Sequence, residues 1–126
     1  MSFWNVFRTE LIEKEIIMGI TVNIRYKGKN DAAVRFAEEM MSSGTVGAIR
    51  NEEGNLRYEY YVSMEDPETV LLIDSWKDQN AIDLHHASPM MAKITELRDK
   101  YDLHMTVERY LSDDGMPEKD AAFLRK

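Results

Sequence analysis

Trp76, at the end of an apolar run, and His85, nine residues later in a helical run, are the residues whose types and spacing point to chemistry in this chain. A large indole at a strand end can floor a pocket between a sheet and helices. An imidazole, with an unperturbed pKa near ~6.5, can accept a proton near neutrality. The same pair also has a purely structural reading, with Trp76 as core and His85 as a hydrogen-bonded helix residue. His86 follows directly, but neighbours on a helix point about 100° apart, so the two rings cannot easily face one pocket or chelate one metal. His104 lies in a later strand with no partner at ligand spacing. Without a His-x-x-x-His pair, a Cys or an Asp/His cluster, the chain offers no protein metal site. The pairs Glu52-Glu53 and Asp113-Asp114 read as solvated turns, not as a catalytic carboxylate pair.

Other polar and adaptable side chains lie near these two in the pattern. Tyr58 and Tyr60 share one face of a predicted strand and Tyr61 takes the other. Hairpin register then decides which of them meets Trp76. Residue numbers summing to an even value place Tyr58 on its face, and an odd sum places Tyr61 there. Tyr58 and Tyr60 are the favoured pocket candidates, with core and interface filling as the competing reading. Asn23 is a polar amide in an otherwise apolar strand and needs a partner, either internal or on a ligand. Met40 and Met90, among nine methionines, suit gap filling in a core and also a cavity for a flat aromatic guest.

The rest of the composition limits what these residues can serve. The chain has 126 residues, 16 Lys+Arg against 23 Asp+Glu for a net charge of −7, and no Cys. That length supports one domain with a proper core. The absence of Cys excludes disulfides, thiolate metal sites and cysteine nucleophiles, and suits a reducing cytoplasm. The acidic balance and the lack of a basic run argue against a nucleic-acid partner. No stretch reaches the ~20 apolar residues of a membrane span, and Glu10, Glu13 and Glu15 interrupt any signal-peptide core. A cytoplasmic protein is the expectation.

The elements that must position the candidates follow from hydrophobic period. Residues 1–18 form an N-terminal extension in which Phe3, Trp4, Phe7, Leu11 and Ile12 make the stripe of an amphipathic helix. Residues 20–27 alternate as a strand, and Asn30 or Asp31 is a credible N-cap for a helix carrying Val34, Phe36, Ala37, Met40 and Met41. Residues 45–55 are turn-rich, with at most a short strand at 45–50. Strands at 56–64 and 69–77 form a hairpin around Pro67. Asp78 caps a helical stretch that Pro89 interrupts. A last strand spans 103–111, and 112–126 is a tail with one helical turn after Pro117.

The order is βαββαβ: a ferredoxin-like α+β domain over 19–111, with a four-stranded antiparallel sheet and helices on one face. Leu71 and Ile73 point one way while Val70, Leu72 and Trp76 point the other, so both sheet faces are apolar. Helices cover one. A second copy is the simplest cover for the other, which predicts a homodimer.

Glu53-Gly54-Asn55-Leu56-Arg57-Tyr58, Asp66-Pro67, Asp74-Ser75-Trp76, then Ala81, His85 and Ser88-Pro89, in this order and placement, resemble the antibiotic biosynthesis monooxygenase family, which includes quinol monooxygenases. The resemblance covers about Ile20 to Leu111 and implies a dimeric α+β barrel. It further implies a monooxygenase that uses O2 on a quinol or polycyclic phenol, with neither metal nor flavin as cofactor. In that scheme His85 is the base, Trp76 and Tyr58 are pocket walls, and Asn23 is a hydrogen-bond anchor. Deprotonation makes the phenol electron-rich enough to reduce O2, so the substrate carries the redox chemistry and the protein supplies a base and a water-poor cavity.

Other branches of the family degrade haem, isomerise a phosphorylated sugar, or have no known activity, so the site must decide. Asn23 matches a first-strand Asn of the haem degraders, but their helix tryptophan is replaced by His85 and no axial histidine follows. Where relatives often carry a second histidine, this chain has Met90. A non-oxidative isomerase and a non-catalytic aromatic-binding dimer remain as the other two readings.

Overall fold

The computed structural model describes residues 19–125. The helix expected over residues 3–17 lies outside them. Strand β1 (Ile20–Lys27), helices α1 (Ala32–Ser42) and α2 (Thr45–Arg50), strands β2 (Asn55–Val62) and β3 (Thr69–Trp76), helices α3 (Gln79–His86) and α4 (Met90–Lys100) and strand β4 (His104–Leu111) follow in order. A short 3-10 helix, Glu118–Phe123, provides the turn expected after Pro117. The strands form one antiparallel sheet in the order β2-β3-β1-β4, as a ferredoxin-like βαββαβ chain requires.

Alternation along the strands sorts side chains into two faces. The helix side carries Ile20, Ile24 and Tyr26 of β1, Tyr58 of β2, and Val70, Leu72, Asp74 and Trp76 of β3, all buried. Against them pack Phe36 and Met40 of α1, Val46 and Ile49 of α2, Ala81 and Ile82 of α3, and Ile94 and Leu97 of α4. Each fully buried side chain of this size contributes roughly 1.5–3 kcal/mol relative to exposure. The opposite side carries Leu71 and Ile73, together with Asn23, Arg25, Tyr61, Glu108 and Tyr110, and no helix of the described residues covers it.

Three local expectations change. Residues 45–50 are a helix, not a strand. Gly44, at φ +81°, reverses the chain after α1, and burial of Val46 and Ile49 on one helical face overrides their β-branched preference. The side chain of Asp31 does not cap α1. Asn30 and Asp31 both adopt the left-handed conformation (φ 56° and 63°), which replaces the extended N-cap geometry, and the Asp31 amide instead approaches the Glu68 carboxylate. Finally, β2 runs over 55–62 instead of 56–64, because the chain turns after Val62 with Ser63 N–H bonded to Thr69 O at 3.0 Å. Asp78 does cap α3, accepting from Ala81 N–H at 2.9 Å, and Pro89 separates α3 from α4.

Candidate active site at the end of strand β3

The site grows from the register of β2 on β3. Tyr58 pairs with Asp74 and Tyr60 with Leu72, the even register, and a bulge between Asn55 and Arg57 sets Asn55 opposite Trp76. Tyr58 and Tyr60 therefore share the helix-side face with Trp76, and Tyr61 is on the other face. The strand ends at Trp76, Asp78 starts the next helix, and about two turns of α3 bring His85 back over the indole. The two rings stack at 4.7 Å between centroids with planes 29° apart. Tyr58 meets His85 edge-on at 6.5 Å and Tyr60 at 5.8 Å. Trp76 is 1% exposed and His85 4%.

A carboxylate completes the pair. Glu52, in the turn between α2 and β2, places its two oxygens 2.9 and 3.1 Å from His85 Nδ1. An ionised carboxylate only accepts, so the proton of the neutral imidazole sits on Nδ1 and the lone pair on Nε2. The hydrogen bonds of the ring among the described residues are those of Nδ1. A buried imidazole with one nitrogen held by a carboxylate has its ring orientation and tautomer fixed, which leaves Nε2 as the nitrogen able to accept a proton. The Glu52-Glu53 pair, expected as a solvated turn, is thus divided. Glu53 is exposed and pairs with Lys77, while Glu52 is turned inward, its side chain 15% exposed. Sequence spacing gives no sign of this, because 33 residues separate Glu52 from His85.

A second carboxylate lies at the indole N–H. Asp74 accepts from Trp76 Nε1 at 2.5 Å and is 8% exposed. Burial pushes its carboxyl up to about 6, against the Trp76 hydrogen bond and the charges of His85 and Arg98, which hold it down. Burial likewise raises the phenols of Tyr58 and Tyr60. Tyr60 Oη is buried and has no partner among the described residues. Tyr26, deeper in the core, accepts from Arg98 at 2.8 and 3.1 Å.

The other candidates are placed elsewhere. Asn23 lies opposite Ile73 and Glu108, on the helix-free face. A side chain there cannot share a site with this chain's Trp76 and His85, since strand residues an odd number apart point to opposite faces. Its Oδ1 is buried without a partner among the described residues. Met40 is a fully buried core side chain and Met90 is half-buried against that core. His86 is exposed, its ring 5.8 Å from that of His85. Clefts of about 290 and 390 Å³ open around Arg25 and Thr69 at the β2–β3 turn end of the sheet, away from Trp76 and His85. Among the described residues there is no group of three His, Cys, Asp or Glu that could hold a metal, and no helix long and apolar enough to cross a membrane.

The chain is thus a small ferredoxin-like α+β domain with a histidine–carboxylate pair stacked on a strand-end tryptophan. The chain belongs to the antibiotic biosynthesis monooxygenase family, whose model matches residues 19–97. Solved structures agree on the fold. A Deinococcus radiodurans protein described provisionally as an antibiotic biosynthesis monooxygenase superposes with a TM-score of 0.67 at 15% identity, covering 78% of this chain and 96% of its own. A Bacteroides thetaiotaomicron protein of unknown function, described as a possible oxidoreductase, gives 0.66 at 14% identity, over 76% and 99% of the two chains. A conserved Methanosarcina mazei protein gives 0.65 at 22% identity, over 78% and 96%. No curated protein matches the chain.

Proposed function

We propose that this protein is a monooxygenase that oxidises a quinol or polycyclic phenol with O2 and needs no cofactor for it. The observation that carries this reading is the pairing of His85 Nδ1 with Glu52 while the imidazole stacks on Trp76. Glu52 fixes the ring and stabilises the imidazolium that forms when Nε2 takes the phenolic proton. Trp76 and Tyr58 supply flat apolar walls for an aromatic anion. The anion passes one electron to O2, the two radicals combine through a new C–O bond to a hydroperoxide, and its O–O bond breaks as the proton on that carbon is lost, leaving a carbonyl on the substrate and releasing the second oxygen atom as water. The protein's part is to hold, deprotonate and shield.

Oxygen uptake by the purified protein, with hydroquinones, dihydroxynaphthalenes and anthrones against protein-free autoxidation blanks, tests this. Uptake above the blank, with one atom of labelled O2 entering the product, is expected. Turnover that continues without O2 would instead establish an isomerase.

The protein is also proposed to work as a homodimer joined through the helix-free sheet face. Leu71 and Ile73 are half-buried there without helix cover, Tyr61 and Tyr110 are exposed, and the Asn23 amide oxygen lacks a partner among the described residues. A second copy would cover the apolar side chains and give Asn23 a donor. Sedimentation equilibrium is expected to give twice the chain mass, and Ile73→Arg to give the single mass. A single-chain mass for the unaltered protein would remove the dimer.

A further inference from the structure

Strand β4 is the least covered element of the sheet. It pairs with β1 at the sheet's edge, and none of its eight residues is buried. Register places Met105, Val107, Arg109 and Leu111 opposite Tyr26, Ile24, Val22 and Ile20, and so on the helix side. Burial stops abruptly between the two strands. Tyr26, Ile24 and Ile20 are 0%, 7% and 9% exposed, whereas their partners Met105, Val107 and Leu111 are 39%, 50% and 64% exposed. Gln79 of α3 reaches the border of this strip, accepting from Arg109 Nη2 at 2.7 Å. An apolar strip one strand wide thus continues the core's floor without the cover that the helices give to β1.

The chain ahead of β1 carries a stripe of matching length. Phe3, Trp4, Phe7, Leu11 and Ile12 recur every three to four residues. Gly19 O accepts from Ser112 N–H at 2.9 Å, so the chain before Gly19 starts beside the Leu111 end of β4. A helix over 3–17 is about 22 Å long at 1.5 Å per residue, and the eight residues of β4 span about 27 Å. Counted back from Gly19 along these two rises, Phe7 comes level with Val107, and Phe3 and Trp4 with Met105. Glu15, one turn after Leu11 on the same side, comes level with the neighbourhood of Arg109, which matches their charges. A helix this short is marginal in water by itself, and a directly attached segment meets the adjoining strip at an effective concentration on the order of millimolar. The second copy proposed above takes the opposite face.

We propose that the helix-side face of β4 is the docking site of the chain's own N-terminal segment: residues 3–17 lie on it as an amphipathic helix antiparallel to β1, with Phe3, Trp4, Phe7 and Leu11 over Met105 and Val107. The helix layer then extends across the fourth strand. Burial of Met105 and Val107 on this side gives the edge strand the apolar packing that it lacks among the described residues. The inference stands on β4 and the N-terminal stripe, and holds whatever reaction His85 serves.

Hydrogen exchange of the full chain, read by mass spectrometry, is the first test. Amides in the interior of 3–17 are expected to exchange about 100-fold or more slowly than in an unstructured peptide, beyond what an undocked helix of this length sustains. Val107→Arg puts a charge in the middle of the strip at a position that the rest of the described fold leaves half-exposed, so the sheet tolerates it. The slowing should be lost there and kept in Thr106→Arg, whose side chain lies on the other face of β4. Cross-linking fixes the contact. Because the chain holds no Cys, Phe7→Cys combined with Val107→Cys can form one disulfide within a chain. On mild oxidation it should run as a single chain of raised mobility on a denaturing gel, while Phe7→Cys with Thr106→Cys stays reduced. Unslowed exchange in the unaltered protein, slowing that survives Val107→Arg, or a Phe7–Val107 cross-link that joins two chains overturns the proposal.

Discussion

His85→Ala lowers oxygen uptake with the best substrate by about 10² to 10⁴-fold, the usual worth of a positioned general base. The fold survives, because His85 lies on one face of α3 whose other anchors, Ala81 and Ile82, remain buried. Glu52→Gln separates orientation from chemistry. The amide is nearly isosteric but neutral, and its NH2 can bond an unprotonated Nδ1 and so turn the imidazole to the other tautomer. Turnover should then fall about 10²-fold with the base still present. Raising pH should restore His85→Ala more than Glu52→Gln, since solvent deprotonation of the phenol replaces a missing base but not a misoriented one. Unchanged turnover in His85→Ala would remove the assigned base, and unchanged turnover in Glu52→Gln would reduce the carboxylate to a structural partner.

Gly54→Ala is the substitution expected to damage the fold and the site together. Gly54 adopts φ +86°, where an L side chain is strained by roughly 1–2 kcal/mol. A Cβ there would stand 2.6 Å from Cβ of Ala81, a buried residue in the first turn of α3, and 3.1 Å from Lys77 Cγ. Overpacking of this kind costs about 1–3 kcal/mol more. A loss of about 3 kcal/mol should lower the Tm by an amount on the order of 10 °C or more. Because the turn also carries Glu52 and α3 carries His85, whatever protein folds should show the catalytic defect of Glu52→Gln. Gly47→Ala is the contrasting case. Gly47 lies within α2 with nothing within 4 Å of its Cβ position, so helix propensity should stabilise the chain by about 0.5–1 kcal/mol. Equal melting temperatures for the Gly54→Ala and unaltered proteins would contradict the close approach of the turn to α3.

Hydrophobic period and punctuation in the sequence by itself determined the order of the four strands, the helices after β1 and β3 and the face shared by Tyr58 and Tyr60, and the ordered motifs from Glu53 to Pro89 pointed to the family. Those features depend on neighbours along the chain: alternation in β1 and β3, Asp78 before α3, Pro89 between the last two helices. Where a local preference met a tertiary demand, it was overridden. Val46 and Ile49 are strand formers held in a helix because the core receives them only at that spacing, and Asp31 gives up its cap to a left-handed turn. Trp76 and His85, the two residues that stack, stood out in the sequence, and the groups that meet them did not. Only the folded chain brings Glu52 to His85 across 33 residues of sequence, sets Tyr58 opposite Asp74 through the β2–β3 register, and sends Asn23 to the opposite face. Periodicity records which side of an element is buried. Which buried group meets which is decided by packing between elements distant in sequence, and a carboxylate in an acidic turn looks the same in the sequence whether it is solvated or aimed at an imidazole.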